Sequence, residues 1–570
     1  MHDNVGVVQL VFAAVAGAAV LVVLIVAYRR HRVAESIAAM NRLNAQLEQT
    51  REYNERFTAA AAQAGDEKAA IQLAGVRALA GLADDWPEHR QACIDALCAY
   101  MRTPGSPDSG RGPAPADRLK LDSARDVRHT VIGIISAHLR LSAEVSWRSL
   151  DFDFTGVVFD GGDFSGAGFS GGEVSFRGAR LSSGRVSFAD AEFSGSRVSF
   201  AGTEFAGGEV SFAGAEFSGG EVSFGGAKFA GGEVSFAGAE ISGGQVSFAG
   251  AEFAGGQVSF AGGMFCGGQA DFRRARFSGG EVSFRSAKFS AGEVSFGRTQ
   301  FSGTQAGQGF AGFSGAEFAG GEVSFHGAEF SGSQVGFGGG MFSGAQVGFD
   351  DAEFSAGKIS FADARFSLGE VNYRGARFSG GEVSFGFAGL SGGEVSFSGA
   401  RFIGGEVSFG FADLSGGRLS FNDAEFSGSQ VDFHSTRFSG ARVSFLLARF
   451  SGGQISFILS KFSGGQASFN GTKFSGSLVD FGSTRFSGGQ VDFFGAEFSS
   501  GLVSFDGARF TSQVSFLLAK FSGGELDFSE VADWSHQPQF DGGGSQPSGV
   551  RLPGRPEASE VPEGPLSDGS

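Results

Sequence analysis

Tyrosine and tryptophan are almost missing from a chain saturated with phenylalanine: Tyr occurs 4 times and Trp 3 times, against 66 Phe and 96 Gly. An ordinary globular core draws on all three aromatics, so the imbalance excludes one and predicts a repeated motif. Proline is confined as sharply. None of the 11 prolines stands between Pro115 and Pro538, although glycine recurs throughout that stretch. A loose Gly-rich linker tolerates proline, whereas a continuous hydrogen-bonded ladder does not, because proline has no N–H to donate. Cysteine is limited to Cys93, Cys98 and Cys266, and the spacing of the first two is not that of a C-x-x-C pair. A sparse, odd set reads as free thiols in a reducing compartment, with Cys93 and Cys98 as small buried residues of a helix.

Basic charge is in deficit too. The net charge of −17 argues against non-specific binding of nucleic acid and leaves mimicry of nucleic acid open. No H-E-x-x-H, phosphate loop or Ser/His/Asp set occurs. His326 and His434 are isolated and each follows a V-x-F element, a turn position. The Gly-rich repeats differ from calcium-binding ones, which need Asp where this chain places Glu, Gln, Arg or even Leu478 and Leu502. No catalytic, cofactor or metal residue is therefore assigned, and no enzyme activity is expected.

Residues 5–28 carry Gln9 as their only strongly polar side chain. About 20 apolar residues cross a bilayer as a helix, so this segment reads as a transmembrane helix. A signal peptide would need a basic start and small residues at its end; here the start is Met-His-Asp-Asn and Arg29, Arg30, His31 and Arg32 follow. Arginine resists translocation. The expectation is a single-pass cell-membrane protein whose later residues all lie in the cytoplasm. Ala13 and Gly17 form a small-xxx-small pair, a weak signal for a homodimer.

Residues 29–65 read as a juxtamembrane helix or short coiled coil, with Val33, Ile37, Met40 and Leu47 interrupted by Asn44 and Arg51. Residues 66–141 read as a small helical module with helices over 67–83, 88–102 and 124–140. Cys93, Ile94, Leu97, Cys98 and Met101 form one apolar stripe; Val127, Val131, Ile134, Ile135 and His138 form another. His138 reads as a boundary residue rather than a ligand. Residues 104–117 form a Pro/Gly loop.

From about 150 to 528 the chain repeats. Phe154, Phe159, Phe164, Phe169 and Val174 are spaced by five, and thereafter Val, Phe and Phe recur with a period of 12, as in Val210, Phe212, Phe217 and Val222. In V-x-F both apolar side chains share one face and the middle residue, mostly Ser, points out. Gly-Gly pairs supply corners. Phe296 and Phe325 are 29 apart, which one extra pentapeptide at 311–315 explains; Phe505 and Phe516 are 11 apart, one residue short near Thr511-Ser512.

The 12-mer divides as 5+5+2: Ala215-Glu216-Phe217-Ser218-Gly219, then Gly220-Glu221-Val222-Ser223-Phe224, then Gly225-Gly226. In these units residues 146–529 resemble the pentapeptide-repeat family. The resemblance implies a mainly β fold, a right-handed quadrilateral β-helix with the central Phe stacked inside and room beside it only for Ala, Gly or Thr. The two added residues depart from the family's 20-residue coil. Two 12-mers predict 24 residues per coil, and about 16 coils give a rod of ~75 Å. A 12-residue coil is the geometric rival.

Solenoid ends need covers, and Trp147 and Trp534 flank the repeats. Residues 530–570, rich in Pro, Gly and acids, read as disordered. Outer charge shifts along the repeats, from Glu192, Glu204 and Glu216 to Arg437, Arg449, Lys461, Lys473 and Arg485. The leading expectation is a non-enzymatic, membrane-anchored scaffold with an unknown protein partner. The alternative is a DNA mimic acting on a topoisomerase, which some pentapeptide-repeat proteins are.

Overall fold

A computed structural model of the chain describes residues 4–102, 115–302, 310–332, 334–355, 357–541 and 548–553. They form two units, residues 1–100 and 101–570. In the first, helix α1 (Asn4–Ala64) is followed by α2 (Ala69–Asp85), a 3₁₀ turn (Pro87–His89) and α3 (Arg90–Met101). Within α1, residues 6–52 are exposed. Beyond them Tyr53, Ala60 and Ala64 are buried, and Gly75 of α2 packs so closely that a Cβ there would stand 2.3 Å from the Ala64 nitrogen. Cys93 and Cys98 are buried in α3, as expected of small apolar side chains.

Helix α4 (Pro115–Leu139) belongs to the second unit. This corrects the single helical module expected over 66–141. Its apolar stripe packs on the solenoid instead. Val127, Val131, Ile132 and Ile135 are buried, and Ile132 lies over Gly162 of the first coil. Asp160 of that coil accepts from Arg128 at 2.8 Å and faces His129 Nε2 at 3.2 Å. His138 stacks on the buried Trp147, ring centroids 4.0 Å apart. Helix α4 and Trp147 thus cover the open end of the stack. The loop expected over 104–117 lies largely outside the described residues.

The rest is a β-solenoid of about 16 turns. Every ladder is parallel, and residues pair with their counterparts 24 positions on: Glu216 with Glu240, Val222 with Val246, Glu209 with Glu233. The 24-residue coil therefore holds. Each coil makes four short strands, two in each of two sheets. The first sheet includes Glu216–Phe217 and Glu221–Ser223; the second includes Glu204–Phe205 and Glu209–Ser211.

The interior is a set of ring stacks. Phe200 lies 4.7 Å from Phe224 with planes 4° apart, and Phe212 lies 4.7 Å from Phe236 at 3°. The two columns meet edge to face, Phe212 to Phe224 at 5.5 Å and 87°. Stacking along the axis and T-contacts across it are both favourable ring geometries. Tyr373 replaces Phe in one column, and its buried hydroxyl finds no hydrogen-bond partner among the described residues. Beside the rings the inward Ala column is fully buried. Thr203 and Thr436 fit there because their hydroxyls donate to the carbonyls of Phe176 and Phe409 at 2.7 Å.

Two kinds of corner join the strands, and both use left-handed backbone. In the Gly-Gly corner, Gly220 has φ +76°, and a Cβ would sit 2.1 Å from the Ser196 carbonyl oxygen of the coil below. In the turn after V-x-F, Ala227 N donates to Phe224 O at 3.0 Å and Gly226 has φ +64°, with open space where a Cβ would be. Asp190, Arg274, Leu447 and Phe387 occupy the same turn position with positive φ. The first corner excludes side chains by contact; the second only strains them.

The insertion is placed differently from the expectation. Ala311 pairs with Val282 and Gly312 with Ser283, while Phe313 stacks on Phe284 at 4.7 Å. Residues 311–313 therefore fill an ordinary V-x-F slot. By count along the chain the five extra residues fall between Ser302 and Phe310, and the strands on either side stay in register. The missing residue does lie in 511–513, since Arg485 pairs with Arg509 but Val491 with Val514. The tail is corrected in part. Val550 is buried and pairs with Leu526, Phe540 stacks on Phe516 at 5.2 Å, and Trp534 meets Phe528 edge-on at 5.3 Å. These apolar residues continue the stack, so the solenoid passes 529; residues 542–547 and 554–570 lie outside the described residues.

Two substitutions test this packing. Tyr373→Phe removes an unsatisfied buried hydroxyl and should raise stability by about 1 kcal/mol or more, seen as a higher Tm. Gly226→Leu should cost only about 1–2 kcal/mol of left-handed strain. Gly220→Leu, aimed at backbone, should lower the Tm several times further in the same circular-dichroism melt.

Candidate interaction surface

With the interior filled by rings, any chemistry must come from outward side chains. These repeat every coil, so each outward position forms a column with its neighbours about 4.8 Å apart. Like charges in a column repel and opposite charges pair. Both patterns occur: Glu192, Glu216 and Glu240 stack as an acidic run on the first sheet, and many other positions pair opposite charges. On the second sheet Arg185 meets Glu209 at 2.6 Å, Arg276 meets Glu252 at 3.1 Å, and Arg449 meets Glu425 at 3.0 Å. On the first sheet Lys288 meets Glu317 and Arg418 meets Glu394, both at 3.4 Å. Each exposed pair adds at most about 1 kcal/mol and relieves like-charge repulsion only at its own place in the column.

The basic run seen in the sequence divides between the two sheets. Arg449 and Lys473 stand on the second sheet and are answered by Glu425 and Glu497. Arg437, Lys461, Arg485 and Arg509 stack in one unbroken column of the first sheet. Arg437 has Asp413 at 3.8 Å. Among the described residues Lys461, Arg485 and the nearby Arg442 have no carboxylate within ion-pair distance. The early glutamates divide likewise, Glu192 and Glu216 on the first sheet and Glu204 on the second.

The outward serines are not free. Ser199 and Ser223 are half-buried and accept the N–H two residues on, from Ala201 at 3.4 Å and Gly225 at 3.3 Å. They shape the turn. Asp432 and Asp480 do the same for His434 and Gly482. His326 and His434 sit in turns at opposite corners, far from forming a pair. Among the described residues no three His, Cys, Asp or Glu side chains are grouped to hold a metal.

Sequence reasoning missed the apolar corners. Phe387, Phe411, Leu447, Leu459 and Leu518 occupy the turn position that Gly holds in sister coils, with φ between +57° and +60°, and each is at least half exposed. Bulky residues in this conformation cost about 1 kcal/mol or more each, and here half or more of each stays exposed. Phe387 and Phe411 stack on each other at 5.1 Å on the outside of the rod. The signal was available: aligned coils read Gly-Gly, Ala-Gly or Ala-Asp after V-x-F in the early repeats, but Gly-Phe or Leu-Leu late.

The depressed aspartates lie toward the ends. Asp163 is held below the usual carboxylate range by hydrogen bonds from Ser165, Asp527 by those from Ser529, and Asp533 by those from Ser535. A depressed carboxylate stabilises the fold above its unfolded value and loses that contribution as pH falls through its folded one. Acidification below about pH 4 should therefore loosen the first and last coils before the middle. Amide exchange rising first at 152–165 and 525–535 is the expected pattern.

Comparison with family models, with curated proteins and with solved structures gives no match, so the outward residues themselves carry the functional reading.

Proposed function

We propose that the chain is a non-enzymatic scaffold of pentapeptide-repeat type, tethered to the cell membrane by residues 5–28, with its solenoid in the cytoplasm presenting outer faces to a protein partner. The observation that carries the reading is the division of labour within the coil: rings fill the inside, and the variable residues all stand outside in columns. One exposed N-terminal helix is long and apolar enough to span a membrane, which supports the tether. Arg29, Arg30 and Arg32 at its end support the cytoplasmic side. The 5+5+2 division of each half-coil supports the family reading. Val33, Ile37, Met40 and Leu47 are exposed along α1 and suit a short coiled coil in a homodimer. The unanswered basic column weighs against DNA mimicry, which needs an acidic face.

Protease added outside intact cells should leave a C-terminal tag on the full chain uncut, and permeabilisation should expose it; cleavage in intact cells overturns the cytoplasmic side. Proximity labelling from the anchored chain should recover proteins whose capture is lost when the solenoid is removed. Recovery that is indifferent to the solenoid overturns the scaffold reading.

A further inference from the structure

We propose that the first sheet of the distal coils, about 437–515, is a docking face for an anionic lipid bilayer. Three observations converge there. The sheet presents Arg437, Arg442, Lys461, Arg485 and Arg509, all exposed, on a chain whose net charge is −17. Its strands over these coils carry one acid, Asp492, which is half-buried and accepts the N–H of Phe494 at 3.1 Å. Many cations in other columns are ion-paired with a carboxylate one coil away. Among the described residues Lys228 and Arg365 are unpaired but stand singly among non-cationic neighbours, whereas the unpaired Arg442, Lys461 and Arg485 cluster.

The second observation is the pair of corners bounding this face. Over these coils one carries Leu459 and the other Leu447, Phe494 and Leu518. Phe411 and Phe387 continue the first corner through the two coils before Arg437, beside Asp413 and Glu394, and all six are substantially exposed. Five of the six sit in left-handed turns where glycine would be unstrained. Strain and exposure together mark residues kept for something outside the fold. Third, the same corners also border the second sheet, but there Arg449, Lys473 and Lys520 are ion-paired with Glu425 and Glu497. Charge therefore selects the first sheet.

A cationic surface rimmed by Phe and Leu, with no enclosed pocket between the rims, matches the chemistry of an anionic leaflet. Apolar tips enter the headgroup boundary while arginine and lysine reach phosphate and carboxylate. Nucleic acid would use the cations but leave the aliphatic rims exposed. An acidic protein would meet the cations, and is an outcome of the test.

The full chain, held in phosphatidylcholine nanodiscs, is mixed with separate vesicles of phosphatidylcholine alone or with about a third phosphatidylserine. Using separate vesicles makes the result independent of which side of a cell membrane the solenoid occupies. Sedimentation with the anionic vesicles only, weakened by salt, is expected. Each basic residue at an anionic leaflet multiplies partition roughly five-fold, so Arg442→Glu, Lys461→Glu and Arg485→Glu together should lower it by a hundred-fold or more. Leu447→Ser with Leu459→Ser should lower it too, while relieving no ion pair. A fluorophore on Leu447→Cys, in a Cys266→Ser background, should shift to the blue with anionic vesicles, and one on Ser475→Cys of the second sheet should not. Equal sedimentation by wild type and the charge-reversed chain overturns the proposal. So does a blue shift at position 447 before any vesicle is added, which would mean that protein covers the corner.

Discussion

Two repeats must agree for this solenoid to exist: the spacing of stacked rings and the spacing of paired strands. Phe rings pack along the axis at about 4.7 Å, and parallel strands hydrogen-bond at 4.7–4.9 Å. Because the distances coincide, one set of backbone bonds and one set of ring stacks propagate together without strain. The coil must then bring each residue over its own counterpart. A 24-residue coil does so; a coil slipped by one residue would turn every ring to the solvent. The scarcity of tyrosine follows, since its hydroxyl needs a polar partner that a column of rings cannot offer, as at Tyr373.

The same constraint decides what variation is allowed. Inward positions accept only shapes that pass through the stack: Ile241 and Leu390 for Phe, Thr or Ser for Ala where the hydroxyl can reach a carbonyl. Length changes fall between paired strands. The five-residue insertion lies between Ser302 and Phe310, and the single deletion lies in 511–513, in both cases between strands. Backbone conformation adds its own rule. The Gly-Gly corner presses on the coil beneath, so larger residues are shut out. Where Ser196 or Ser429 takes its second place the corner rearranges, the serine is buried, and Gly195 or Gly428 takes the positive φ instead.

Much of this was legible in the sequence because the repeat writes its geometry in one dimension. Period, inward residues, corner glycines and coil length all follow from where Phe and Val recur. What was not legible depended on which strands come to lie together. Arg437, Arg449, Lys461, Lys473 and Arg485 read as one basic column at 12-residue intervals. A 24-residue coil deals them alternately to two sheets, and only then do the paired and unpaired cations separate. The insertion was misplaced because Ala311-Gly312-Phe313 is a degenerate V-x-F that only ring stacking on Phe284 identifies. Helix α4 looked like its neighbours because an apolar stripe does not say what will cover it.

A ladder also changes what an exposed residue means. On an ordinary surface a lone lysine has free choice of neighbours, and a long side chain can swing toward an anion. In a solenoid its nearest neighbours are its own counterparts above and below, fixed by the backbone. A column of one sign is then a standing repulsion, and the many cross-coil pairs of this rod show how readily one substitution in the next coil removes it. Lys461 and Arg485 keep the repulsion over successive coils, and in or beside those coils glycine gives way to leucine at the strained, exposed turns of Leu447, Leu459 and Leu518. Each departure acts against the isolated fold. Their coincidence on one sheet and its borders places the favourable half of the interaction outside the chain, on something anionic and apolar at once.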